Sequence, residues 1–62
     1  MPSTTIQYFK YEHLPEKLQE VSKKFSELAN WLEENLPDGP EKSVAMRKLL
    51  ESKDCAVRAR LG

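Results

Sequence analysis

Leu36-Pro37-Asp38-Gly39-Pro40-Glu41 is the stretch on which the fold turns. Two prolines and a glycine within residues 37–40 break any helix that reaches them. A connection this short returns the next helix antiparallel to the first. Asp38, with Glu41 three residues later, has the form of an N-terminal capping pair in which aspartate replaces the usual serine or threonine.

Upstream of the break, Leu18, Val21, Phe25, Leu28 and Leu32 recur at alternating spacings of three and four, which is one helical face; Ala29 and Leu36 widen it. This periodicity predicts helix 1 over 15–36. Pro15 suits the first turn, where its missing N–H costs nothing, and Glu16 sits near the positive end of the dipole. Trp31 lies off the centre of the stripe and points to a second contact surface. Downstream, helix 2 is predicted over 40–60. Met46, Leu50, Val57 and Leu61 form one stripe, and Ala45, Leu49, Ala56 and Ala59 an adjacent one of mostly small residues. Together they are wider than one helix partner needs. Helix 2 is therefore expected to touch helix 1 on one side and another subunit on the other; a loosely amphipathic helix in a monomer is the alternative.

Residues 1–14 read as an arm. Thr4-Thr5-Ile6-Gln7-Tyr8-Phe9-Lys10-Tyr11 is rich in β-branched and aromatic residues, which favour extended backbone. No partner strand exists, so the arm is expected to lie on the helices. The predicted fold is all-α: an antiparallel two-helix hairpin with a short extended N-terminal arm, assembled into a symmetric homo-oligomer.

Size supports the oligomer. A chain of 62 residues makes one domain. A domain of this size buries only about 60% of the surface its unfolded chain exposes, so it is usually reinforced by disulfides, a metal or a partner subunit. The single cysteine, Cys55, permits no intrachain disulfide, and the single histidine, His13, is far from it in sequence, so no structural zinc site is expected. Formal net charge is zero with 32% charged residues. A binder of duplex nucleic acid carries a basic excess, and a disordered tail lacks this apolar periodicity. Met1–Thr5 has no basic start followed by an apolar run, so no signal peptide is expected. No stretch approaches the roughly 20 apolar residues of a membrane span. The free thiol and absent export signal suit a reducing cytoplasm.

Catalytic chemistry is not evident. His13 precedes a helix and reads as structural or solvated. Cys55 sits mid-helix beside Ala56 and Val57 and reads as a small buried residue. Glu16, Glu20, Glu27, Glu33 and Glu34 read as a solvated helix face. With two glycines there is no phosphate-cradling loop. The chain is expected not to be an enzyme, with no catalytic residue, no metal site and no cofactor.

Charge placement along the hairpin is more informative. Folding at Asp38-Gly39 brings the start of helix 1 beside the end of helix 2. That open end holds Lys10, Lys17, Lys23, Lys24, Lys53, Arg58 and Arg60 against Glu12, Glu16, Glu20 and Asp54, a net charge near +3, and leaves the turn half near −3. Tyr8, Phe9 and Tyr11 lie beside it. Cations meet phosphate, and a tyrosine face stacks on a base. The plainer reading is that the cations answer the helix dipole and that the aromatics are core.

An ordered set of short motifs spans residues 9–59: Phe9-Lys10-Tyr11, Leu14-Pro15-Glu16-Lys17, Ser26-Glu27-Leu28-Ala29, Leu36-Pro37-Asp38, Glu41-Lys42-Ser43, Met46-Arg47-Lys48-Leu49-Leu50-Glu51-Ser52-Lys53-Asp54 and Ala56-Val57-Arg58-Ala59. This set resembles the helical-hairpin domain of phage anti-CBASS cyclic-nucleotide sponges, a hairpin that also forms the C-terminal part of one class of phage anti-Thoeris sponge. The resemblance implies a protein that works in the cytoplasm of the infected bacterial host. It would sequester cyclic oligonucleotide immune messengers without cleaving them, as a homohexamer with pockets between protomers. Cyclic dinucleotides occupy one class of pocket and, in some members, cyclic trinucleotides another. By the same resemblance Tyr11 would stack on a base. Lys24, or its neighbour Lys23, would contact phosphate, and Phe9 and Tyr8 would flank the base. Arg58, with Arg60 as the poorer candidate, would meet a cyclic trinucleotide; the chain's short tail, which stops at Gly62, is expected to leave that second pocket incomplete. Duplex nucleic acid and membranes are not expected partners. The alternative is a helical interaction module that docks its surplus apolar face on a host or phage protein.

Overall fold

The computed structural model describes residues 4–62. It holds a 3-10 helix, η1 (Thr4–Phe9), and two α-helices, α1 (Glu16–Asn35) and α2 (Pro40–Leu61). The described residues are all-helical. Glu33 of α1 meets Lys42 near the start of α2, while Glu20 meets Arg60 near its end. The two helices therefore run antiparallel as a hairpin.

Both ends of the turn follow from proline. Leu36 is extended (φ −98°, ψ 140°), as a residue before proline is driven to be. Its N–H still donates to Leu32 O at 3.0 Å and closes α1. Pro40 occupies the first position of α2, where its missing N–H is no loss. The expected Asp38–Glu41 capping pair does not form. Gly39 is the residue that precedes the helix, and no side chain caps it. Asp38 lies one residue too early to reach the first free N–H groups; its Oδ1 instead accepts from Lys42 Nζ at 2.9 Å. The same ammonium donates to Glu33 O at 2.9 Å, satisfying a carbonyl near the α1 C-terminus. It lies 3.5 Å from Glu33 Oε1. Lys42 is only 7% exposed. Glu33, expected on a solvated face, is half-buried in this pairing.

The apolar stripe of α1 is rotated from the position its spacing predicts. Leu18, Ser22, Ser26 and Ala29 are the buried positions, and with Glu33 they follow the 3.6-residue repeat along one edge. Ser22 and Ser26 bring almost no bulk, so backbones can approach closely there. The larger side chains stand to one side of this edge. Phe25 and Leu32 pack against the core, Val21 is half-buried, and Leu28 is 47% exposed. Leu28 was expected in the core and is not there. Trp31, 56% exposed, lies off the packed stripe.

The core is small. Phe9, Ala29 and Met46 are fully buried, and Ile6, Phe25, Leu32, Leu49 and Leu50 pack around them. η1 supplies two of these side chains. An isolated extended arm would leave its backbone groups unpaired. A 3-10 helix satisfies them internally and sets residues three apart on one side, which carries Ile6 and Phe9 together onto the helices. Residues 4–9 thus form a helical turn where extended backbone was expected; residues 1–3 of the predicted arm lie outside the described residues. Lys53 fixes η1 from α2: its Nζ donates to Tyr8 O at 2.7 Å and stands 5.9 Å from the Phe9 ring centroid. η1 therefore packs against α2 as well as against α1. Cys55, expected to be buried, is exposed. It is nine residues beyond Met46, half a helical revolution from the core.

Candidate functional site

The segment between η1 and α1 is held by short, local bonds. Leu14 N donates to Tyr11 O at 3.0 Å, making a turn over 11–14. Gln19 reaches back from α1, its Nε2 donating to Leu14 O at 2.7 Å and Glu12 O at 3.2 Å. Tyr11 N donates to Glu12 Oε2 at 3.1 Å. The Glu12 carboxyl is held below its ordinary pKa of 4.5, first by its own N–H and then by that of Tyr11. An ionised Glu12 therefore helps fix the backbone that aims the Tyr11 ring.

This bracing sets Tyr11, half-buried, against the first turns of α1. Tyr11, Glu16, Gln19, Glu20 and Lys23 line one open groove of about 530 Å³. Glu16, Gln19, Glu20 and Lys23 are successive positions of one helical face. Arg60 from the end of α2 reaches the rim, with Nη2 3.8 Å from Glu20 Oε1. Lys23 and Arg60 against Glu16 and Glu20 leave the groove near neutrality within one chain. It offers an aromatic ring, an amide, one ammonium and one guanidinium.

The other residues implicated by the resemblance are dispersed. Lys24 is a third of a revolution from Lys23 and lines a separate, wholly apolar groove of about 300 Å³ with Phe25 and Leu28. Phe9 is 1% exposed and is a core residue, with no ring face open to a ligand from solvent. Tyr8 is 58% exposed, and its carbonyl is the acceptor for Lys53. Arg58 donates to Cys55 Sγ at 3.3 Å along its own helix.

Two structural side chains were missed by sequence reasoning, Lys42 and Lys53, because a lysine carries no sequence signal for bonding a distant backbone carbonyl. Gln19 was missed as well. Its position one turn beyond Pro15 could have flagged it as the side chain able to reach the unpaired carbonyls before α1. Among the described residues no cluster of three or more histidine, cysteine or acidic side chains could hold a metal ion. No helix of the described residues is long and apolar enough to cross a membrane. Comparison with protein-family models, with curated protein sequences and with solved structures gives no match.

Proposed function

We propose that this chain is a phage anti-defence protein that binds cyclic oligonucleotide immune messengers between its own protomers and sequesters them uncleaved in the cytoplasm of the infected host. The observation that carries this reading is the groove in which Tyr11 stands with Lys23, with Arg60 at its rim. It joins a stacking ring to phosphate-seeking cations at the end of the hairpin where the basic residues gather. The motif resemblance to anti-CBASS sponges supports the same assignment, and the homohexamer belongs to it.

The groove is open and covers only one side of a ligand, whereas tight small-molecule sites enclose most of the ligand surface. A cyclic dinucleotide has two bases and two phosphates around a pseudo-twofold axis. A twofold pair of protomers presents each group twice, so each Tyr11 meets one base and each Lys23 one phosphate. Stacking contributes about 1–3 kcal/mol per base, and each charge-assisted phosphate contact about 1.5–3 kcal/mol. The upper half of these ranges approaches the roughly −12 kcal/mol of nanomolar binding before the cost of immobilising the ligand is subtracted. Lys24 and Tyr8 lie outside the groove of a single chain, so any contact they make with the ligand has to come from a second protomer. Arg58 is assigned to the trinucleotide alone, whereas Arg60, the poorer candidate there, also reaches the rim of the Tyr11 groove.

Titration calorimetry with a panel of cyclic di- and trinucleotides tests the reading. The expected result is tight binding of one dinucleotide per two protomers, release of intact ligand on denaturation, and loss of binding in Tyr11→Ala and Lys23→Ala. Lys24→Ala decides whether the neighbouring lysine also reaches the ligand from a second protomer. Recovery of linear nucleotide would make the protein an enzyme. No heat across the whole panel would favour docking on a host or phage protein instead.

A further inference from the structure

We infer that the Tyr11 groove selects guanine: the base that stacks on Tyr11 turns its N1–H and N2–H donors to the Glu16 carboxylate and the Gln19 amide oxygen, so guanine-containing cyclic nucleotides are held in preference to those of adenine or uracil. This rests on the reading above of the groove as a nucleotide site, and it names the base that the site takes.

Three observations carry it. First, the groove holds more acid than a site for anions needs. Glu16 and Glu20 line it beside Tyr11, Gln19 and Lys23. A carboxylate repels phosphate, so its place beside a stacking ring fits a partner rich in N–H groups. Glu20 is met by Arg60, with Nη2 3.8 Å from Oε1. Glu16, exposed in the first turn of α1, has no such cation among the described residues. Second, Gln19 is oriented to accept. Its Nε2 donates to Leu14 O at 2.7 Å and to Glu12 O at 3.2 Å. Only the nitrogen can meet two carbonyl oxygens, so the amide is fixed in this sense and both of its N–H bonds are occupied. What Gln19 has left is Oε1, an acceptor. Third, Glu16 and Gln19 are three residues apart and share one helical face, with Tyr11 held beside them by the 11–14 turn. Lys23 stands two turns beyond Glu16, about 10 Å along the axis, a separation comparable with that between the base edge and the phosphate of one nucleotide.

Beside the ring the groove therefore offers acceptors alone. Guanine is the one common base whose Watson–Crick edge presents two adjacent donors, N1–H and N2–H. Adenine presents one donor beside the N1 lone pair, cytosine one donor beside N3, and uracil one N–H between two carbonyl oxygens. Each of these sets a lone pair against the carboxylate, and an unmatched polar group costs more than a matched one gains.

Titration calorimetry of the full chain with cyclic di-GMP, cyclic GMP–AMP, cyclic di-AMP and cyclic di-UMP tests the selection. GMP and AMP at millimolar concentration, followed by the NMR resonances of the Tyr11 ring, probe the same groove with a single nucleotide. Affinity is expected to fall by about 5- to 150-fold for each guanine lost, and GMP should shift Tyr11 where AMP does not. Glu16→Gln replaces two acceptors by one acceptor and one donor, the pair that matches adenine. It should reverse the preference with helical circular dichroism unchanged. A Glu16 that only answers the α1 dipole would weaken every ligand alike or none. No guanine preference among the cyclic dinucleotides that bind, or a guanine preference that Glu16→Gln leaves intact, overturns the selection while the nucleotide site stands. A Tyr11 shift with GMP but not AMP, with no cyclic dinucleotide bound, overturns the sponge and keeps the selection. Silence from every nucleotide overturns both.

Discussion

Replacing Phe9 by alanine separates a core aromatic from a ligand-stacking one. The ring is 1% exposed and belongs to the cluster with Ala29 and Met46, surrounded by Ile6, Phe25, Leu32, Leu49 and Leu50. Truncating a buried phenylalanine costs about 3–5 kcal/mol, the transfer loss and the cavity together. A 62-residue domain at about 0.05–0.15 kcal/mol per residue has only about 3–9 kcal/mol to lose. Each kcal/mol moves Tm by about 4–8 °C in a domain this small, so Phe9→Ala should lower Tm by more than about 12 °C or abolish the cooperative transition. Phe9→Leu keeps much of the apolar volume and should lose far less. Tyr8→Ala, which removes a side chain that is 58% exposed, should stay within about 0.5 kcal/mol of the parent. Thermal and urea denaturation followed by circular dichroism at fixed protein concentration measures all three. Phe9→Ala with an unshifted Tm would refute the assignment of Phe9 to the core and return its ring to the ligand.

The Lys42–Asp38 contact gives stability a defined dependence on pH. Its hydrogen bond lowers Asp38 from the ordinary 3.8 and raises Lys42 above the ordinary 10.5. Stabilisation is complete between those values, fades as pH falls below 3.8 through the lowered Asp38 pKa, and fades as pH rises above 10.5 through the raised Lys42 pKa. Asp38→Asn should therefore reduce Tm at neutral pH and make the acid limb shallower; parallel acid limbs for the two proteins would count against the contact. Lys53→Met removes the donor to Tyr8 O and should cost about 1–2 kcal/mol, with amide exchange accelerated over residues 4–9 before the rest of the chain. Uniform acceleration would mean that η1 is not separately anchored. Cys55 is exposed, so a thiol reagent should label it in the native protein at the rate seen in denaturant. Slow native labelling would place Cys55 in a contact between copies.

The hairpin was legible because proline and glycine act locally. Pro37, Gly39 and Pro40 stop and restart a helix whatever surrounds them. The packed side of α1 was not legible. Periodicity locates bulky apolar residues, whereas the buried edge runs through Ser22 and Ser26, chosen for the close approach they permit. The buried charges were illegible for a related reason. Lys42 is buried and Lys53 half-buried where the carbonyls of Glu33 and Tyr8 lie within reach, and only the fold creates that proximity. In η1, β-branched and aromatic residues took a 3-10 turn because tertiary contact to Phe9 and Ile6 outweighed local preference. At the candidate site, Tyr11 was legible as an aromatic beside basic residues. The choice between Lys23 and Lys24 was not, since one residue of register rotates a side chain by about 100°, enough to move it from the Tyr11 groove to an apolar one.

The staple at the turn has a consequence for the order in which the chain assembles. Lys42 bonds a carbonyl nine residues away, whereas Lys53 bonds one 45 residues away. Closing the longer loop costs about 1.4 kcal/mol more in chain entropy, and that loop gains little until both helices exist to receive Phe9. Folding should then start at Pro37–Lys42 and zip outward along α1 and α2, with η1 docking last. The relative contact order is that of a helical hairpin, so the zipping step belongs on the microsecond-to-millisecond scale. Substitutions at Glu33 or Lys42 should slow folding, while substitutions at Ile6 or Phe9 should mainly speed unfolding. The N-terminal segment is accordingly the first part to leave, and it leads directly into Tyr11, so the element that folds last also controls how firmly the aromatic ring of the groove is held.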